Sequence, residues 1–354
     1  SDALRTGRGG LGGDVAQRCH QRLTHHGIAP PRSVVIVSFF GQRLNVIGPH
    51  QRDGLLGLCA LDPVCAVALA HQLRRWDRWG DGDVVVLGRP SRPVAGAWAT
   101  GSLMPFGLAA RPALGHDGVG PSGARAIADH ARLRLTRRGS IMGAAADVEA
   151  VWAPLAAAGL HAREERWRQP VLVAPSPIGG LAETVLQRRP DLRWAAHGLH
   201  AASSAEEELV LPASVAMFSG ELGYDPMTAG GSYARHVSWL VATGRSYVLL
   251  DDGLGRPAQP GGPRRVAFKT DVGAVWDAPT GTVVQLTGVW TRDDLRGRGI
   301  ATAALAAVVD AVRRDHMRAG GAVSLYVNDF NAPALGLYDR LGFQRSGMFA
   351  TILL

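Results

Sequence analysis

The junction RGRGIATAAL (296–305) constrains the fold of this chain more than any other segment, because it joins a strand, TVVQLTGVW (282–290), to a long helix over 300–317. Gly297 and Gly299 remove side chains where a backbone must approach a ligand, and they permit positive φ in a tight loop. The N–H groups that follow, those of Ile300, Ala301 and Thr302, open the helix without intrahelical partners, at the positive end of its dipole. A loop of this kind suits a pyrophosphate, and Arg296 and Arg298 add charge-assisted donors. A plain helix start with two glycines is the alternative. The strict Rossmann spacing and the Walker P-loop are both missing here, which disfavours nicotinamide and nucleoside-triphosphate ligands.

A length of 354 residues suggests roughly two domains. With 46% apolar and 19% charged residues the chain can bury a core in each half and lacks the charge excess of a disordered protein. The uncharged stretch 93–110 is broken by glycine and proline and the apolar run 33–40 is short, so neither is expected to span a bilayer as a helix. The N-terminal residues show no apolar signal region. Cys19, Cys59 and Cys65 make neither an even disulfide framework nor a CxxC metal pair. A reduced, cytoplasmic protein with no metal and no membrane partner is expected. The net charge of +8 invites a polyanion, although a solvated basic surface explains it as well. Lys269 is the only lysine, so nearly all of the 38 basic residues are arginine.

Periodicity divides the chain into halves of like order. In the first, a buried strand at 33–40 and a helical pattern over 52–79 precede strands at 83–88 and 94–101. A helix over 123–135, a strand at 140–143, a helix over 147–158 and a strand at 169–175 follow. In the second, a Pro- and Ala-rich connector leads to an apolar strand near 194–199 and helical stretches over 206–222 and 232–243. Strands are expected at 246–251, 265–276, 282–290, 322–328 and 343–354, with helices over 300–317 and 332–341. The segments 140–160 and 324–343 also rhyme as strand, turn, helix, glycine, strand. A tandem duplication is the reading: domains at 1–175 and 191–354, joined by a linker at 176–190.

The C-terminal half resembles the GNAT superfamily of N-acyltransferases. Its acyl-CoA signature, R/Q-x-x-G-x-G/A, stands here as Arg296, Gly299 and Ala301, and a second signature is matched by NDFNAPALGLYDRLGF (328–343). The resemblance implies an α/β (α+β) architecture of tandem GNAT-like folds, each a mixed, mostly antiparallel sheet flanked by helices. The first half is then a degenerate copy, whose loop VGPSGARAI (119–127) lacks the arginine and the compact glycine spacing. The resemblance further implies a V-shaped cleft with Gly288, Val289 and Thr291 along the pantetheine arm, an oxyanion donor near the Val289 N–H, and Asn328 and Asn331 on the cofactor arm. Asn331 is equally an N-cap. Tyr338 aligns with the tyrosine that protonates the leaving thiolate, with a packed tyrosine as the plain alternative. For the general base, Glu221 comes first, with Asp271 and His236 behind it; an ordinary surface carboxylate reads Glu221 as well.

Three functions compete at this stage. The first is transfer of an acyl group, acetyl above all, from acetyl-CoA or another acyl-CoA to the primary amine of a small molecule or peptide, by direct attack in a ternary complex. With no cysteine in the C-terminal half, a cysteine route there has no candidate. The second takes the acyl group from aminoacyl-tRNA, which the basic balance and the extra domain suit. The third is an acyl-CoA-binding module without catalysis.

Overall fold

The computed structural model describes residues 43–76, 83–318 and 320–354. Their strands join in one twelve-stranded sheet in the order β1-β2-β3-β4-β5-β12-β6-β11-β10-β9-β8-β7. In the first half these are β1 (Leu44–Ile47), β2 (Val84–Arg89), β3 (Arg92–Thr100), β4 (Ser102–Phe106), β5 (Ser140–Ala144) and β6 (Glu164–Val173). In the second they are β7 (His200–Ala201), β8 (Ser246–Asp251), β9 (Arg265–Ala278), β10 (Gly281–Thr291), β11 (Gly321–Tyr326) and β12 (Gln344–Leu353). The order is symmetric about its centre, so that each strand of the first half has a counterpart in the second. Only β4 with β5 and β10 with β11 pair in parallel, at matching places in the two halves. The mixed, mostly antiparallel tandem architecture is therefore present, and the duplicated order of elements with it.

The symmetry hides an exchange. β6 lies between β11 and β12 and is antiparallel to both, while β12 lies between β5 and β6. Each half therefore places its last strand beside the other half's fifth. A helix adds a second tie: α2 (Pro63–Arg75) packs its Leu69 and Leu73 into one core with Trp276 and Val283 of the second half. It follows α1 (Arg52–Cys59), and Asp62, whose carboxylate accepts from the Cys65 N–H at 3.2 Å, caps it. That cap and Pro63 break the single helix expected over 52–79, of which residues 77–79 lie outside the described residues, as do Cys19 and the strand expected at 33–40.

Four further expectations need correction. The linker 176–190 contains α5 (Leu181–Arg188), whose Leu181 and Leu186 are buried in the main core of the second half. Two such leucines contribute about 1.5–3 kcal/mol each, more than a linker would forgo. The strand expected at 194–199 is the helix α6 (Arg193–His197), because its apolar run is short, alanine-rich and buried on one face. β1 and β4 were not expected. β4 follows β3 through a hairpin at Gly101, φ +72°, and Pro105 masks its strand pattern.

The remaining helices are α3 (Gly120–Arg132), α4 (Ala145–Ala157), α7 (Glu207–Leu222), α8 (Ser232–Ala242), α9 (Ile300–His316) and α10 (Ala332–Arg340). α9 is the most deeply embedded, with Ala303 to Ala306, Val308, Val309 and Val312 fully buried. Among the described residues no helix is long and apolar enough to cross a membrane. Burial pushes the free Cys59 and Cys65 thiols up, leaving them as packing groups.

His71 pins α2 to β9. Its Nδ1 lies 2.9 Å from the Val275 carbonyl, and its Nε2 faces the guanidinium nitrogens of Arg75 at 3.2 Å and Arg245 at 3.4 Å. This set demands a neutral imidazole, donating from Nδ1 and accepting at Nε2. Burial, aided by the two arginines, pushes the His71 pKa down to about 4. A histidine depressed in the folded state binds fewer protons there than when unfolded, so its contribution is complete above the unfolded value near 6.5 and is lost as pH falls toward 4. Unfolding measured by denaturant is expected to weaken by about 3 kcal/mol between those pH values. His71→Gln, which keeps a donor and an acceptor, is expected to flatten that slope.

Candidate functional site: a cleft between β10 and β11

β10 and β11 pair from Thr282 and Gly321 only as far as Gln285 and Ser324. Beyond that point β10 stays with β9, β11 turns its other edge to β6, and a cleft opens between them. Within the cleft the β9–β10 register jumps between Thr287 and Trp290, so Gly288 and Val289 stand out of the ladder as a bulge. Gly288 has φ +62°, and a Cβ there would come within 2.7 Å of the Met217 Sδ and 3.4 Å of an Asp271 carboxylate oxygen. Only glycine fits.

After β10, Arg292 locks the chain with bonds of 2.7 and 2.8 Å to the fully buried Asp251 and a further bond to Asp294. Leu295 is buried beneath the turn. Gly297 and Gly299 then take φ of +76° and +84°, and Gly299 caps α9. A Cβ on Gly297 would meet nothing within 4 Å, so the backbone there faces open space. The Thr302 N–H returns to the Gly299 carbonyl at 3.0 Å, leaving the N–H groups of Ile300 and Ala301 to point out of the helix.

This loop forms one side of a cavity of about 810 Å3, within the usual range for a small-molecule site. Val289, Thr291, Arg296, Gly297, Gly299, Ala301, Thr302, Asn331 and Tyr338 all line it. Three expected residues do not present their side chains there: Ile300 is buried in the core, Arg298 reaches the Leu254 carbonyl at 3.4 Å, and Asn328 lines a neighbouring cavity instead. Arg296 is exposed and paired with Asp293 at 2.7 Å. Asn331 accepts from the Ala334 N–H at 3.2 Å and so caps α10 while lining the cavity.

A second cavity, of about 1420 Å3, lies on the other side of the bulge, and Val289, Asn331 and Tyr338 line both. Tyr338 is 4% exposed, and its hydroxyl makes no hydrogen bond among the described residues. Burial, with the charge of Glu221 adding to it, raises its pKa, so the phenol stays protonated. Glu221, at the C-terminal end of α7, lies on the second cavity with its carboxylate 3.2 Å from Arg166. Asp271 is buried, accepting from Lys269 Nζ at 2.6 Å and from the Ser246 hydroxyl at 2.8 Å. His236 also lines this cavity, and burial lowers its pKa against the pull of Asp271.

Several lining residues were not foreseen, because they come from the first half. Arg166 and Gln169 of β6 and Met142 of β5 form one wall of the second cavity. The Gln169 amide donates to Asn328 at 2.8 Å while its oxygen accepts from Thr351, which fixes Asn328 across the strand exchange. Between the halves, Arg188 at the end of α5 and Arg189 after it also line the first cavity. Nothing in the sequence announces a strand exchange, and the Arg188–Arg189 pair reads as surface charge.

The corresponding cleft of the first half is filled. Past the one β4–β5 pair, Leu103 with Ile141, the fully buried Asp147 of α4 accepts from the N–H groups of Gly107 at 3.3 Å and Ala109 at 2.8 Å. Arg111 completes the set with a 2.5 Å bond. Two backbone N–H groups that follow β4 are thus taken by the protein's own carboxylate.

Residues 266–343, which contain the bulge, the glycine loop, α9 and α10, match the model described as the acetyltransferase (GNAT) family. This part of the chain belongs to the GNAT superfamily. Residues 84–191 match a second family, described as a domain of unknown function (DUF4081). This segment runs from β2 through α5 and fits a degenerate GNAT-like half. Among solved structures, a Drosophila protein shares the fold at a TM-score of 0.53 and 13% identity, over 89% of this chain and 99% of that one. Also similar are a GNAT-family acetyltransferase from Colwellia psychrerythraea (9% identity, TM-score 0.46, 88% and 99% covered) and a tandem GNAT protein from the clavulanic acid biosynthesis pathway (13%, 0.48, 88% and 98%). A search of curated proteins finds no match.

The filled cleft of the degenerate half carries a prediction for stability. Asp147→Ala leaves Arg111 with a buried, unpaired charge and two unsatisfied N–H groups, and is expected to cost about 3–5 kcal/mol in denaturant unfolding. A cost below about 1 kcal/mol would show that this network does not hold the GNAT-like half together.

Proposed function

We propose that the chain is an acyl-CoA-dependent N-acyltransferase that passes an acyl group, acetyl in the first instance, to a primary amine by direct attack in a ternary complex. The observation that carries this reading is the position of Tyr338: a buried, protonated phenol that lines both cavities. A bound acyl-CoA supplies the thioester carbon that the amine attacks and the thiolate that departs.

The chain's own groups have separable tasks in this reading. The N–H groups at the start of α9, with Gly297 and Gly299 clearing the approach, hold a pyrophosphate. The Gly288–Val289 bulge takes a backbone N–H out of the sheet, and the Val289 N–H stabilises negative charge on the carbonyl oxygen. Tyr338 donates a proton to the thiolate. Glu221, held by Arg166, takes the proton that an ammonium must lose before it attacks, with Asp271 and His236 facing the same cavity.

Tyr338→Phe keeps the ring and its packing against Phe343 and removes only the hydroxyl. Affinity for acetyl-CoA, measured by calorimetry, is expected to stay within a few-fold. The single-turnover rate is expected to fall about 100- to 10,000-fold. An unchanged single-turnover rate with a verified acceptor would make Tyr338 a packing residue. If acetyl-CoA fails to bind while aminoacyl-tRNA is shifted in a gel, the acyl donor is the charged tRNA.

A further inference from the structure

The arginines around the first cavity point to a recognition element outside the glycine loop. Arg188 ends α5, Arg189 follows it, and Arg340 ends α10; all three line the first cavity. Arg189 Nη1 lies 2.9 Å from where a Cβ of Gly299 would stand, directly over the start of α9. It is held there by bonds of 2.8 and 2.6 Å to Asp191. Arg188 and Arg340 make no ion pair among the described residues. The placement is fixed rather than incidental: Asp310 of α9 accepts from the Leu181 and Ala182 N–H groups at 2.9 and 2.8 Å, and Leu181 and Leu186 are buried against the same core.

Three arginines lining one cavity, two of them without a carboxylate partner among the described residues, suit a dianionic oxyanion group. They lie beyond what the loop needs for a pyrophosphate. Resting on the acyl-CoA reading, we infer that Arg188 and Arg340, with Arg189 beside them, clamp the 3′-phosphate of the donor's ribose. Arg188 and Arg189 belong to the segment that matches DUF4081, so the clamp draws on residues outside the stretch that matches the acetyltransferase family. A phosphomonoester with its second pKa near 6 carries close to two charges at neutral pH, which suits the fork geometry of arginine.

The test compares acetyl-CoA with acetyl-3′-dephospho-CoA by calorimetry, on the parent chain and on an Arg188→Gln/Arg340→Gln variant. Both side chains are exposed, and matching unfolding midpoints will show that the variant is folded. The parent is expected to bind acetyl-CoA at least about tenfold more tightly than the dephospho form. The variant is expected to lose that preference while its affinity for the dephospho form stays within about twofold of the parent's. Equal affinities in the parent would overturn the clamp and leave the donor reading standing. A variant that weakens both donors alike would reduce the arginines to a general attraction and also overturn it. Binding of neither donor to the parent would remove the acyl-CoA reading itself, and the clamp with it.

Discussion

The backbone ladder between β6 and β12 is the interaction on which the rest of the structure depends. Register runs from Gln344 opposite Val173 to Leu353 opposite Glu164, and it joins the last strand of each half at the centre of one sheet. Neither half has a closed sheet without it. Removing β6 would expose the edges of β11 and β12, and removing β12 would expose β5, each a row of unsatisfied N–H and C=O groups. The same exchange brings Gln169 to Asn328 and Arg166 to Glu221, so one wall of the second cavity exists only because the ladder forms. Fold and site thus share one constraint.

The halves are alike in topology and opposite in chemistry. In the second, β10 leaves β11, a bulge at Gly288 and Val289 frees backbone, and glycines with positive φ open the start of α9. In the first, past the β4–β5 pair, the buried Asp147 takes two backbone N–H groups and the Arg111 guanidinium. A buried carboxylate with three donors is stable only when all three are present. That network gives a physical reason for the first half to keep its fold with a buried carboxylate at this place.

Much of this was legible in the sequence where local chemistry decides. The loop 296–305, the helix cap at Asn331 and most of the second half's strands follow from glycine placement, capping residues and apolar period. The corrections arise where tertiary packing decides. Proline and alanine around α5 give it the composition of a linker, yet Leu181 and Leu186 pack into the core built around α9. The exchange of β6 and β12 leaves no local trace, since an edge strand and an inserted strand of the same composition look alike. Arg166 and Gln169 are invisible as site residues for that reason: their partners, Glu221 and Asn328, lie in the other half of the chain.

The central claim is that one half holds the donor and the other supports it, with its own cleft filled from within. Calorimetric titration of the intact chain with acetyl-CoA tests this most directly. The account predicts a single class of site with one donor bound per chain. Two equivalents bound with comparable affinity would mean that the Asp147 network does not close the first cleft, and would contradict the account.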